Sequence, residues 1–126
     1  MTDMSIYRTT IAISRDFPAG RLATIDQVMV DTGAEYSWLP SALLEEVGIG
    51  RFKTIRFITA DRRIVERAAG YGFIHIAGES SPTVLIFGEP GDQVLLGAHA
   101  LEGMNLKVEL VEKRLIPAGP VSAAAA

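Results

Sequence analysis

One tetrapeptide in this chain combines residue types that can do chemistry: Asp31-Thr32-Gly33-Ala34, entered from the apolar run Val28-Met29-Val30. Carboxylates are general acids and bases, and an acid set directly after an apolar strand, followed by a small hydroxyl residue and glycine, is unusual for a plain core. Of the six aspartates, at positions 3, 16, 26, 31, 61 and 92, Asp31 alone is followed by Thr-Gly or Ser-Gly. Asp, Thr and Gly also form turns, so a simple β-turn is the competing reading of the same residues. About sixty residues later comes Val94-Leu95-Leu96-Gly97, an apolar run ending in glycine that opens a short helical segment.

Other chemistries find little support. There are no cysteines, which excludes a disulfide scaffold, a thiol nucleophile and a thiolate metal site. His75 and His99 are too few for a histidine-based zinc centre without carboxylate help, so neither a metal nor a cofactor is expected. His75, in an apolar strand, reads as a structural histidine satisfied by neighbours, and His99 as a helix cap or a hydrogen-bonding partner near the Asp31 loop. No Gly-x-Ser-x-Gly elbow, phosphate loop or Gly-x-Gly-x-x-Gly fingerprint is present. Twelve Lys and Arg against fifteen Asp and Glu give a net charge of −3, which argues against nucleic acid as a partner. No apolar run approaches the roughly 18 to 20 residues of a membrane helix, and MTDMSIYRTTI lacks the basic-then-apolar order of a signal peptide. The expectation is a soluble, cytoplasmic, globular domain that engages neither nucleic acid nor membrane.

The elements that must position Asp31 are mostly strands. Residues 5–14, 22–30, 53–60, 64–69, 73–76, 83–87, 94–97 and 106–111 are apolar or alternating runs rich in β-branched and aromatic types. Turn signals separate them: Phe17-Pro18-Ala19-Gly20, Asp61-Arg62-Arg63, Gly70-Tyr71-Gly72 and Gly88-Glu89-Pro90-Gly91. One helix is predicted over 40–47, with Pro40 in its first turn, Leu43, Leu44 and Val47 on one face and Gly48 at its end; a second is predicted over 98–104. Many short strands with frequent turns predict a mainly antiparallel β barrel or sandwich in one domain over 1–116. Residues 117–126 read as a flexible tail.

Asp31-Thr32-Gly33-Ala34 together with Leu95-Leu96-Gly97 resembles the two signatures of the aspartic protease superfamily, in its single-domain retroviral-type (retropepsin-like) form. The resemblance covers roughly residues 5–112 and implies an acid-protease-like closed antiparallel β barrel with one or two short helices. It also implies an aspartic endopeptidase in which two carboxylates activate a water, one taking its proton while the other polarises the scissile carbonyl. Two carboxyls about 3 Å apart cannot both ionise, so the dyad of that superfamily shares one proton and titrates as a pair. One triplet in 126 residues then implies a homodimer in which each subunit contributes its Asp31.

By the same resemblance Thr32 braces the opposite loop, Gly33 admits the peptide substrate, and Ala34, Glu35, Trp38 and Leu95 face substrate. Packing at a core or helix edge is the competing reading of Trp38. A flap hairpin is expected within 56–75, its tip at Ala60-Asp61-Arg62-Arg63, with Gly70 and Gly72 as the alternative tip or hinge. Arg62 and Arg63 would then favour acidic substrates, although solvated side chains are the simpler reading. Two departures from the viral pattern stand out: Glu35 where an acid commonly pairs with an arginine, and Ala98 where that arginine would be. Arg8 is one candidate partner for Glu35; hydration in the cleft is the other. These departures, and a hairpin tip without glycine, point to the rival reading of a weak or inactive peptide-binding or dimerisation module on the same fold.

Overall fold

Arg8–Ser14 (β1) and Ala23–Val30 (β2) form where the first two apolar runs place alternate residues on one face, burying Ile11 and Ile13, and Ala23 and Ile25. The computed structural model describes residues 6–124, so Ser5, the first residue of the expected strand, lies outside the described residues. The pair is antiparallel, and its register slips between Thr9 and Ile11, opposite Val28 and Ile25. Gln27, with φ of 59°, takes up the extra residue as a β-bulge. The alternation therefore changes phase: Val28 is buried after Ile25, and the strand delivers Asp31 away from the core.

The remaining elements are β3 (Ser37–Pro40), α1 (Ser41–Glu46), β4 (Lys53–Ile58), β5 (Ile64–Ile76), β6 (Glu79–Gly88), β7 (Leu95–Leu96), α2 (Ala98–Gly103), β8 (Leu106–Glu109) and β9 (Arg114–Pro117). The protein is mainly β, with two helices of six residues each. Seven strands pair in the order β1-β2-β7-β3-β6-β5-β4, and β1 also pairs with β5, so the ladder returns upon itself. Leu39, Leu44, Ile74, Leu85, Phe87 and Leu96, each at most 2% exposed, form the middle of the core. Burial of such side chains contributes about 2 kcal/mol apiece before conformational entropy is subtracted.

Four expectations need correction. Gly70-Tyr71-Gly72 is not a break: β5 runs unbroken through it for 13 residues. Its glycines answer to crowding, since a Cβ at Gly70 would run into the Gly50 carbonyl, and one at Gly72 would come within 2.6 Å of Ile49 Cδ1. They are neither flap tip nor hinge turn. The sheet is not antiparallel throughout, because β2–β7 and β3–β6 are parallel pairs. The strand expected at 83–87 begins at Glu79, and Pro82 is accommodated on its exposed side opposite Phe73. Finally, residues 117–119 are not a free tail. Pro117 closes the β8–β9 hairpin, the Ala118 amide donates to the Asn105 carbonyl at 2.9 Å, and Asn105 Nδ2 donates to the Gly119 carbonyl at 2.8 Å. Ala125 and Ala126 lie outside the described residues.

Candidate active site

Asp31 leaves β2 at the point where β7 runs beside it. The two-residue strand β7 is inserted between β2 and β3, pairing Met29 with Leu95, Val30 with Leu96, and Leu95 with Trp38. The Asp31 amide donates to the Leu96 carbonyl at 2.9 Å. The Gly33 amide donates to Asp31 Oδ1 at 2.9 Å, and the Ala34 amide to the Asp31 carbonyl at 3.2 Å. The carboxylate is thus held by the backbone of its own loop, with the Asp-x-Gly spacing that a turn former supplies. The tetrapeptide is thus a turn, as one of its two readings has it.

The second motif supports the loop from beneath. Ala98 and His99 amides donate to the carbonyls of Ala34 and Glu35 at 2.8 and 3.0 Å. The Gly97 amide donates at 3.0 Å to Ser37 Oγ, a hydroxyl on a fully buried residue. A Cβ at Gly97 would lie 2.6 Å from both the carbonyl carbon and oxygen of Tyr36. Glycine is required there by backbone contact.

A groove of about 780 Å³ runs over Asp31, between this loop and the β4–β5 hairpin. Asp31, Gly33, Ala34, Glu35, Trp38, Arg63 and Leu95 all line it. Thr32 is exposed and makes no hydrogen bond to another described residue. Arg62 does not line the groove; it sits at the turn with φ of 67°, and its amide donates to the Thr59 carbonyl at 2.9 Å. Trp38 is half-buried and both packs and lines the groove: its ring lies 4.8 Å from that of Phe57, centroid to centroid.

The hairpin tip is cross-braced. Thr59 Oγ1 bonds the Asp61 carboxylate, and Arg63 Nε donates to Asp61 Oδ2 at 2.9 Å. The Thr59 hydroxyl, and then Arg63, hold the Asp61 carboxyl below the usual carboxylate range. At the base of the hairpin, Arg67 grips Asp92 through Nε–Oδ2 at 2.7 Å and Nη2–Oδ1 at 2.9 Å. The Asp92 carboxyl is lowered by these Arg67 bonds against an opposing effect of burial, with the Glu89 amide assisting.

Asp61 stood in the expected hairpin tip, but sequence reasoning missed Tyr36, Phe57, Arg67, Asp92 and Gln93 as groove residues. Phe57 had a signal in the alternation of β4, and Asp92 in its turn position; the others carried none. Glu35 is exposed and forms no ion pair with another described residue. Arg8, its expected candidate partner, instead donates to the Gln27 carbonyl at 3.4 Å.

Neither histidine lines the groove. His75 is bracketed by Ser14 Oγ and Ser80 Oγ, each 2.7 Å from a ring nitrogen, and burial lowers its pKa. His99 Nδ1 lies 3.3 Å from Thr83 Oγ1. Among the described residues no group of three or more His, Asp or Glu side chains is placed to hold a metal ion. No helix among them is long and apolar enough to cross a membrane. Another hollow, of about 370 Å³, contains Arg15 and Arg21, but Asp16 and the Glu46 carbonyl already engage them. No protein-family model matches the chain, and no curated protein matches it.

Proposed function

We propose that the chain is a retropepsin-like aspartic endopeptidase, its sheet an acid-protease-like closed barrel, active as a homodimer on extended peptides. The observation that carries this reading is the seat of Asp31. Its amide is tied to Leu96, one oxygen is tied to Gly33, and the Gly97 backbone passes beneath at a distance no side chain permits. A hairpin overhangs the same groove.

One chain supplies one such carboxylate, so two copies meeting at the Asp31 loops complete the pair. One carboxylate then removes a proton from water as its oxygen attacks the scissile carbonyl carbon. The other, protonated, donates to the carbonyl oxygen; collapse of the tetrahedral adduct expels the amine, which takes up a proton. The peptide lies as an added strand under the hairpin, with backbone hydrogen bonds giving affinity and alternate side chains entering pockets.

Sedimentation equilibrium over a concentration series, paired with cleavage of a peptide library by wild type and Asp31→Asn, tests this. A species near 27 kDa (twice 13.6) and loss of all cleavage in Asp31→Asn support it. A monomer at every concentration, or full activity without the Asp31 carboxylate, overturns it.

The cross-braced hairpin tip favours a second reading, a peptide-binding or dimerisation module with little turnover. Thr59, Asp61 and Arg63 bond one another and stiffen the tip of the hairpin that must move for product release. Peptide binding without cleavage from acidic to neutral pH distinguishes it.

A further inference from the structure

We infer that the groove over Asp31 selects peptides carrying lysine or arginine close to the scissile bond, with Glu35 as the residue that selects them. The inference rests on the peptidase reading. Six charged side chains line the groove: Asp31, Glu35, Asp61, Asp92, Arg63 and Arg67. Arg63 is spent on Asp61 at 2.9 Å, and Arg67 on Asp92 at 2.7 Å, with Glu89 a further 3.8 Å contact. What remains is Asp31 and Glu35, neither of which has a cation among the described residues. The groove is therefore net negative, and a two-fold copy adds a second Glu35 to it, while the paired Asp31 carboxyls share one proton.

Glu35 is suited to read a side chain. Its backbone is pinned, since its carbonyl accepts the His99 amide at 3.0 Å and the preceding carbonyl accepts the Ala98 amide at 2.8 Å. Its carboxylate is exposed at that fixed point and pairs with no cation among the described residues of its own chain. Trp38 and Phe57 line the same groove. Their rings offer a surface for the methylene stem of lysine or arginine, and aromatic faces attract a guanidinium. An acidic side chain meets unbalanced carboxylates instead, which disfavours the wrong substrate as effectively as contact favours the right one. The preference for acidic substrates expected from Arg62 and Arg63 is thereby reversed: one lies outside the groove and the other is neutralised by Asp61.

The test uses fluorogenic peptides identical except for Lys, Gln or Glu at each position flanking the cleaved bond. It compares wild type with Glu35→Gln and Glu35→Lys, whose folding is checked by thermal unfolding. Fluorescence anisotropy of the same peptides on the Asp31→Asn protein reads binding apart from catalysis. The expected result is a Lys-over-Glu ratio in kcat/KM that falls about fivefold in Glu35→Gln, inverts in Glu35→Lys and shrinks as salt is raised.

Cleavage with no charge preference, or a preference that survives in Glu35→Gln, overturns the inference and leaves the peptidase reading standing. Charge-selective binding that depends on Glu35, without cleavage by wild type, supports the selection by Glu35 and overturns the peptidase reading. Neither cleavage nor selective binding overturns both.

Discussion

The Arg67 guanidinium and the Asp92 carboxylate, 25 residues apart in sequence, form a bidentate pair at 2.7 and 2.9 Å, with their side chains 15% and 18% exposed. Arg67 stands on β5, and Asp92 lies in the turn that leads into β7. The pair therefore fastens the overhanging hairpin to the strand that supports the Asp31 loop. The Arg67 guanidinium carbon also lies 6.0 Å from the centre of the Trp38 ring, so one cation organises the turn and the groove wall together.

Asp92→Asn removes the charge while keeping the shape, and leaves Arg67 with a weaker partner. The expected loss is about 2 kcal/mol, between the values for exposed and fully buried pairs. Urea denaturation measures it. Because the folded Asp92 carboxyl is held below its unfolded value, its contribution is complete above about pH 3.9 and drains away as pH falls below that. Wild type should lose stability in that acid window more steeply than Asp92→Asn.

His75 supplies a separate acid response at higher pH. Burial disfavours its protonation, whereas the unfolded imidazole takes up a proton near about pH 6.5. Stability should therefore fall as pH drops below about 6.5, until the lower folded value is reached. The His75→Gln protein, followed by thermal unfolding from pH 7 downward, should show a flatter profile over that interval.

Gly97→Ala places a methyl group against the Tyr36 carbonyl and 2.9 Å from the Ala34 oxygen. Both obstacles are backbone and neither can swing aside, so the Asp31 loop itself must move. A loss of about 3 kcal/mol in chemical denaturation is expected, together with loss of peptide cleavage. Gly20→Ala, where an added Cβ meets nothing within 4 Å, is the control that should change neither property.

Trp38 is the chain's single tryptophan and lines the proposed peptide groove, so its fluorescence reports occupancy directly. Adding a basic peptide to the Asp31→Asn protein should shift and saturate the emission. Trp38→Ala removes the ring that packs on Phe57 and should raise KM about tenfold, while Trp38→Phe should lose much less.

The sequence by itself determined whatever depends on near neighbours. Alternation marked most of the strands, turn formers marked their ends, and Pro40 and Gly48 bounded α1. The spacing of Asp31 and Gly33 already encoded the amide-to-carboxylate bond of the loop. Reading Gly70 and Gly72 as punctuation failed because glycine has two uses, freedom to turn and tolerance of contact. The contact that decides between them comes from Gly50 and Ile49, across the fold.

Tertiary structure alone decided the phase change at Gln27, the insertion of β7 between β2 and β3, and the pairing of Arg67 with Asp92. It also gathered four acidic and two basic side chains in the groove and set each arginine beside an aspartate. Such matches join segments far apart along the chain or depend on how two strands register, and no local pattern records which distant partner a side chain will meet.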